Sequence, residues 1–165
     1  MDLPDAVTKL TRVKERGLAR AIGVSNFPSA LLKRAVDEVQ APIACNQFEY
    51  HVLLGQGQMV ETARAEGVAV TAYAPLAQGR LAEHDALRAV ADKHGATPAQ
   101  VALKWLLDQD GVAAIPKAGR RESQQGNLDA LKIALDDEDR STIAALPKDQ
   151  RFVNPAFAPH WDKVG

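Results

Sequence analysis

Ala21-Ile22-Gly23-Val24-Ser25-Asn26-Phe27, AIGVSNF, is an apolar run that stops on two hydrogen-bonding side chains. One such ending says little, because Ser and Asn commonly bond their own backbone in turns. The ending recurs, however. IACNQF at 43–48 stops on Asn46 and Gln47, VAVTAY at 68–73 on Tyr73, and VAAIP at 112–116 runs into Lys117. Each run, beginning with a strand at 20–25, is nearly continuously apolar, as expected of strands covered on both faces.

Between these runs the spacing changes from that of strands to that of helices. Ala6, Val7, Leu10 and Val13 recur at helical spacing between Pro4 and Gly17. Pro28 and Ser29 open a second helix with Leu31, Leu32, Ala35, Val36 and Val39 facing inward, and Pro42 ends it. MVETARAEG is a third helix stopped by Gly67. Further helices are expected near 84–94, over 98–109 behind the cap Thr97-Pro98, through GRRESQQGNLDAL with an interruption at Gly126, and over 136–145. Gly17, Gly67 and Gly111 each stand just ahead of a strand, where a helix stops on a left-handed residue. A helix followed by four strand–helix units predicts an α/β fold, with a parallel sheet and helices packed outside it.

In parallel α/β folds the carboxyl ends of the strands share one rim, and ligands bind there. The set Ser25, Asn26, Asn46, Gln47, Tyr73 and Lys117 is therefore expected to line a pocket, against the alternative that each side chain merely satisfies its own turn. Lys117-Ala118-Gly119-Arg120-Arg121 brings three cations to a helix N-terminus, an arrangement suited to a phosphate. The other reading of that loop is a solvated basic segment.

Composition narrows the class. With 165 residues, 46% hydrophobic and 25% charged, the chain can bury one sizeable core. A net charge of −1 gives no basic excess for nucleic acid. Cys45 is the single cysteine, so no internal disulfide forms and no structural zinc site is expected. MDLPDAVTKL does not read as a signal peptide, and no apolar run approaches the roughly 18 residues of a membrane span. A cytoplasmic protein, with neither nucleic acid nor membrane as partner, is the expectation.

AIGVSNF, ACNQFEYH, VTAYAPLAQG and IPKAGRRESQQGNLD, in that order and at natural spacing, resemble the C-terminal half of an aldo-keto reductase. The resemblance implies part of a (β/α)8 barrel over residues 1–150, with a C-terminal tail over 151–165. It further implies NADP(H) bound across the rim without a GxGxxG loop, and reduction of aldehydes or ketones to alcohols. By position, Ser25, Asn26 and Gln47 resemble the residues that hold the nicotinamide carboxamide, and Tyr73 the ring on which the nicotinamide stacks. Leu76 and Gln78 match positions covering the pyrophosphate, Lys117 and Arg120 the ligands of the adenosine 2′-phosphate, and Asn127 the adenine contact. Ser123 and Gly126 depart from the pattern of many NADP-preferring relatives, which leaves NAD(H) open as cofactor.

The family's catalytic tyrosine, lysine, aspartate and histidine belong to the first half of the barrel, so the resemblance supplies no catalytic residue on this chain. Tyr50 is expected to pack near the mouth. Glu49 and His51 form a pair with no third metal ligand, and His84, His94 and His160 read as ordinary surface histidines. Four strands do not close a barrel, so the half-barrel is expected to self-associate, or to be completed by an N-terminal half and then take a small carbonyl substrate. The alternatives are a truncated reductase, a native half-barrel, or a catalytically inactive nucleotide-binding or self-associating module. A Schiff-base aldolase using Lys117 is a weaker one. In the tail, Phe157 and Trp161 contact substrate or cover the barrel helices.

Overall fold

The computed structural model describes residues 3–163. Its elements follow the expected alternation: α1 (Leu3–Glu15), β1 (Ile22–Ser25), α2 (Ser29–Lys33, continued by a π turn over Arg34–Glu38), β2 (Ile43–Glu49), α3 (Gly57–Ala65) and β3 (Ala69–Tyr73). Then come α4 (Asp85–Lys93), α5 (Pro98–Leu107), β4 (Val112–Ala114), α6 (Arg121–Asp129) and α7 (Asp137–Ala144). The fold is α/β, a partial (β/α) barrel whose four parallel strands lie in the order β1-β2-β3-β4. Strand order following chain order is what successive strand–helix units produce.

The residues group into two compact units. Of the described residues, the first holds 3–48, Gln56–Thr71 and 155–163; the second holds Glu49–Gly55 and Ala72–Asn154. In the first unit β1 pairs with β2 in the register Gly23↔Cys45, Val24↔Asn46, Ser25↔Gln47, after a bulge beyond Ile22. Gly23 is dictated by that pairing, because a Cβ there would lie 2.6 Å from Cys45 Sγ and 2.8 Å from Cys45 O. Ile22, Leu32, Ala35, Phe48 and Met59 are among the buried residues of this unit. Gly17 and Gly67 have φ of +70° and +66°, the left-handed stops expected at the ends of α1 and α3.

The second unit has one continuous apolar cluster, including Leu53, Leu81, Leu87, Val101 and Ile143. Its helices start firmly. Thr97 caps α5 in a box with Gln100, and Asp136 caps α7 in a box with Asp139. Lys148 donates to the carbonyls of Val52 and Ile143, both at 2.7 Å, and burial pushes its ammonium down to about 8.

Three expectations are corrected. α6 runs through Gly126 without interruption. Only Val7 is buried on α1, while Leu10 and Val13 are 38% and 36% exposed. Helical spacing defines an apolar stripe but does not supply the surface that covers it. The strands are also incompletely buried: β1 alternates buried and exposed, β4 has no buried residue, and Gly23, Ser25, Ala44, Ala69 and Ala113 are exposed.

Candidate functional site

The end of β1 is built by a side chain that the turn itself consumes. Asn46, fully buried on β2, donates from Nδ2 to the carbonyl of Phe27 at 2.8 Å and accepts the Phe27 N–H at 3.3 Å. These two bonds fix the bend after Ser25 and make Asn46 structural, one of the turn-satisfying endings. Gln47 contributes its backbone carbonyl, which accepts the Asn26 N–H at 2.8 Å and the Ser25 hydroxyl at 3.0 Å. Asn26 is held at φ +58°, a conformation Asn tolerates better than most residues. Its Oδ1 is buried without a hydrogen-bond partner. A buried acceptor with unused capacity is uncommon, and here it lies just past the end of β1.

The second unit carries the remaining candidates. A cleft of 860 Å³ is lined by Leu76, Gly79, Gln100, Lys117, Arg120 and Asn127, together with neighbouring residues of the α5 and α6 N-termini. Leu76, Lys117, Arg120 and Asn127, named separately from sequence, are thus brought to one place. Gln78 and Tyr73 are not among its lining residues. Tyr73 ends β3 half-buried, its carbonyl accepting the Tyr50 N–H at 3.3 Å, and Gln78 is exposed with φ +53°. Two cations of the lining, Lys117 and Arg120, stand against one carboxylate, Glu122. The exposed Lys117 and Arg120 sit where the chain enters α6, so the helix N-terminus adds positive potential for an anion.

Sequence reading missed Thr97, Gln100 and Glu122 in this cleft. Gln100 closes the α5 capping box and donates from Nε2 to the carbonyl of Gly126 at 3.0 Å, tying α5 to α6. The TPAQ capping signal was visible, but its spatial neighbour was not.

For the remaining candidates the structure supplies the partners. Tyr50 is 5% exposed; its hydroxyl donates to Gln109 Oε1 at 2.6 Å and its ring meets Trp105 edge-on at 5.4 Å, so it is buried against α5. Glu49 and His51, both fully buried, partner each other at 3.2 Å. His51 Nδ1 accepts the Leu53 N–H, which places its proton on Nε2, toward Glu49. Glu49 also accepts the N–H of Phe152 at 2.8 Å and of Val153 at 3.0 Å. Burial works to raise its carboxyl, and these donors together outweigh it and hold the group below the usual range. No group of three or more metal-ligating side chains occurs among the described residues. His94 is not an ordinary surface residue: its Nε2 lies 2.7 Å from Asp139 Oδ2.

A parallel strand–helix array with polar strand ends and a cationic cleft defines a protein of the (β/α)-barrel class. The family model described as "Aldo/keto reductase family" matches residues 1–148, and the chain belongs to that family. It is 40% identical over 155 residues to a methylglyoxal reductase, DkgB, of Escherichia coli O157:H7, a match covering 93% of this chain and 58% of the relative. It is 34% identical to an NADPH-dependent D-xylose reductase of Meyerozyma guilliermondii, covering 97% of this chain and 54% of that protein. Among solved structures, the aldose reductase of Giardia lamblia superposes with a TM-score of 0.89 at 28% identity, over 95% of this chain and 55% of that one. The chain therefore spans little more than half the length of these relatives. Among the described residues no helix is long and apolar enough to cross a membrane.

Proposed function

We propose that this chain is the cofactor-holding part of a cytoplasmic NADP(H)-dependent reductase that converts aldehydes or ketones to alcohols. The observation that carries the reading is the convergence of Leu76, Lys117, Arg120 and Asn127 on one cleft with a positive balance of lining charge. An 860 Å³ cleft is of the size that small-molecule and cofactor sites occupy, up to roughly 1,000 Å³. Lys117 and Arg120 would hold the 2′-phosphate and Asn127 the adenine, with Leu76 and Gln78 over the pyrophosphate. In the first unit the orphaned Asn26 Oδ1 is suited to accept from a carboxamide NH2, with Ser25 and Gln47 beside it on the paired strands. In the second unit, Tyr73 is the candidate ring for stacking on a nicotinamide. When bound, the cofactor supplies the hydride; this chain binds and orients it. No proton donor is assigned here, since the Tyr50 hydroxyl is engaged by Gln109. Cys45, a free thiol, suits a reducing compartment.

Titration with NADPH and with NADH, followed by Trp fluorescence, tests the reading. Saturable quenching that weakens in Lys117→Ala is expected, with NADH weaker than NADPH. No quenching at millimolar concentration by either nucleotide overturns it.

The reading has a second part. In isolation the 165-residue chain pairs with a second copy through its open sheet edges. β1 and β4 are the end strands of a parallel sheet, and each presents unpaired backbone groups. Ile115, Leu128 and Leu131 are 48%, 63% and 62% exposed, and a cleft of 580 Å³ beside β4 is lined by Leu103, Leu107, Ala114 and Pro116, with Lys117, Gln124 and Asn127 also on its wall. Leu18, ahead of β1, is 66% exposed. Two copies supply eight parallel strands, the number at which side chains fill a closed barrel. Light scattering should give the mass of two chains, and Leu128→Asp with Leu131→Asp should reduce it; a single-chain mass for the unaltered protein overturns pairing.

A further inference from the structure

We propose that Phe152 and Arg80 are positioning residues that hold residues 74–83 as a strained strap against the nucleotide cleft, and so set how tightly the nucleotide is kept. This rests on the nucleotide reading above. Leu76 and Gly79 line the cleft, so the strap forms part of its wall.

The strap's backbone is unusual. Ala74, Ala77 and Gln78 have φ of +47°, +47° and +53°, and Gly79 follows at +88°. Left-handed conformations are disfavoured for L-residues other than glycine, and such a cluster persists only where the surroundings over-determine it. Several fastenings do so. Ala77 and Leu81 are buried to 0% and 3% exposure in the apolar cluster, and Arg88 Nη1 donates to the carbonyl of Ala82 at 2.6 Å. Those contacts hold the feet of the strap and its far end.

The exposed middle is held differently. The Arg80 guanidinium carbon lies 4.7 Å from the centroid of the Phe152 ring, a cation–π contact. The same ring stacks on His51, with centroids 5.3 Å apart and planes at 23°. His51 partners Glu49, whose carboxylate also accepts the N–H groups of Phe152 and Val153. A buried carboxylate at the end of β2 thus fixes one ring, and that ring fastens the middle of the strap through a side chain, Arg80, that a surface substitution removes without touching the core. Nothing in nucleotide binding itself requires Phe152, which is absent from the cleft's lining.

The test uses the full chain and three variants: Phe152→Leu, Arg80→Gln and Arg80→Lys. Amide hydrogen exchange without nucleotide reads the anchor alone. In the Gln and Leu variants, exchange over 74–83 should rise by about tenfold while α5 and α7 stay as before. The Kd for NADP+ should rise by about two- to fivefold through faster release, and Arg80→Lys should retain most of the wild-type behaviour. Unchanged exchange over 74–83 in both Arg80→Gln and Phe152→Leu overturns the proposal, as does a rise spread evenly over the second unit, which would mean general loosening. If the unaltered chain binds no NADP+, the cofactor reading fails, and the exchange result still decides whether the anchor exists.

Discussion

Glu49 and Lys117 both stand at strand ends, yet they have opposite surroundings. Glu49 is fully buried and accepts from His51, Phe152 and Val153, so its bonding capacity is used within the fold. Lys117 is exposed and lines a cleft. The same contrast separates Asn46, both of whose amide atoms are bonded to Phe27, from Asn26, whose buried Oδ1 has no partner. Polar residues at the ends of strands therefore divide by the capacity they have left over. Those that are saturated hold the architecture, and those with capacity to spare are the ones available to a ligand.

The largest expected effect that tests this division is at Glu49. Glu49→Ala removes a buried acceptor and leaves the Arg151 guanidinium, 3.8 Å away, without its carboxylate. Loss of about 3 kcal/mol is expected, as for breaking a buried charged pair, read as a fall in the denaturant midpoint. Asn46→Ala comes next, at about 2 kcal/mol, because two Phe27 backbone groups lose their partner. If either variant instead melts like the parent and loses only nucleotide affinity, the division between saturated and available residues is wrong.

The sequence showed the strand ends well because an apolar run is local and its polar stop adjoins it. It also showed Lys117, Arg120 and Asn127, which lie within one loop and helix. It did not show that Asn46 is consumed by Phe27, since that depends on the β1–β2 register, nor that Gln100 from α5 joins the cleft. The Glu49–His51 pair could be read as two spare ligands until residues 152 and 153 arrived from 103 and 104 positions away. Leu10 and Val13 failed for a related reason: periodicity marks a face, and only a partner surface buries it.

On the available side, Lys117→Ala should leave the melting temperature within experimental error. NADPH affinity should fall by about 1–2 kcal/mol, roughly tenfold, because a charge-assisted contact to phosphate is lost and the residue is otherwise exposed. Isothermal titration at two salt concentrations sharpens this, since the difference between parent and variant should shrink as salt screens the cleft.

Asp139 gives a smaller, pH-dependent contrast within the saturated set. Burial acts to raise its carboxyl, but Lys93, His94 and the Asp136 N–H hold it well below the usual 3.8. A depressed folded-state value means the stabilisation is present above 3.8 and is lost as pH falls further, because the unfolded carboxyl protonates first. Asp139→Asn should flatten the acid limb of a stability–pH profile below 3.8, and should cost about 1 kcal/mol near neutrality through the weakened cap of α7. A variant whose acid limb parallels that of the parent would show that Lys93 and His94 contribute nothing through this carboxylate.

A small change in stability is also expected at Asn26. Glycine adopts φ +58° without a steric penalty, so Asn26→Gly preserves the bend and the N–H bond to Gln47 while deleting the side chain. Removing a buried acceptor that has no partner also removes its desolvation cost, which offsets the flexibility glycine adds to the unfolded chain. Stability should therefore change by no more than about 0.5 kcal/mol, against about 2 kcal/mol for the equivalent loss at Asn46. Affinity for a nicotinamide nucleotide should nevertheless fall, whereas affinity for adenosine 2′,5′-bisphosphate, which has no carboxamide, should stay as it was. A large loss of stability in Asn26→Gly would mean that Oδ1 is satisfied within the fold, and Asn26 would then join Asn46 and Glu49 among the residues that hold the architecture.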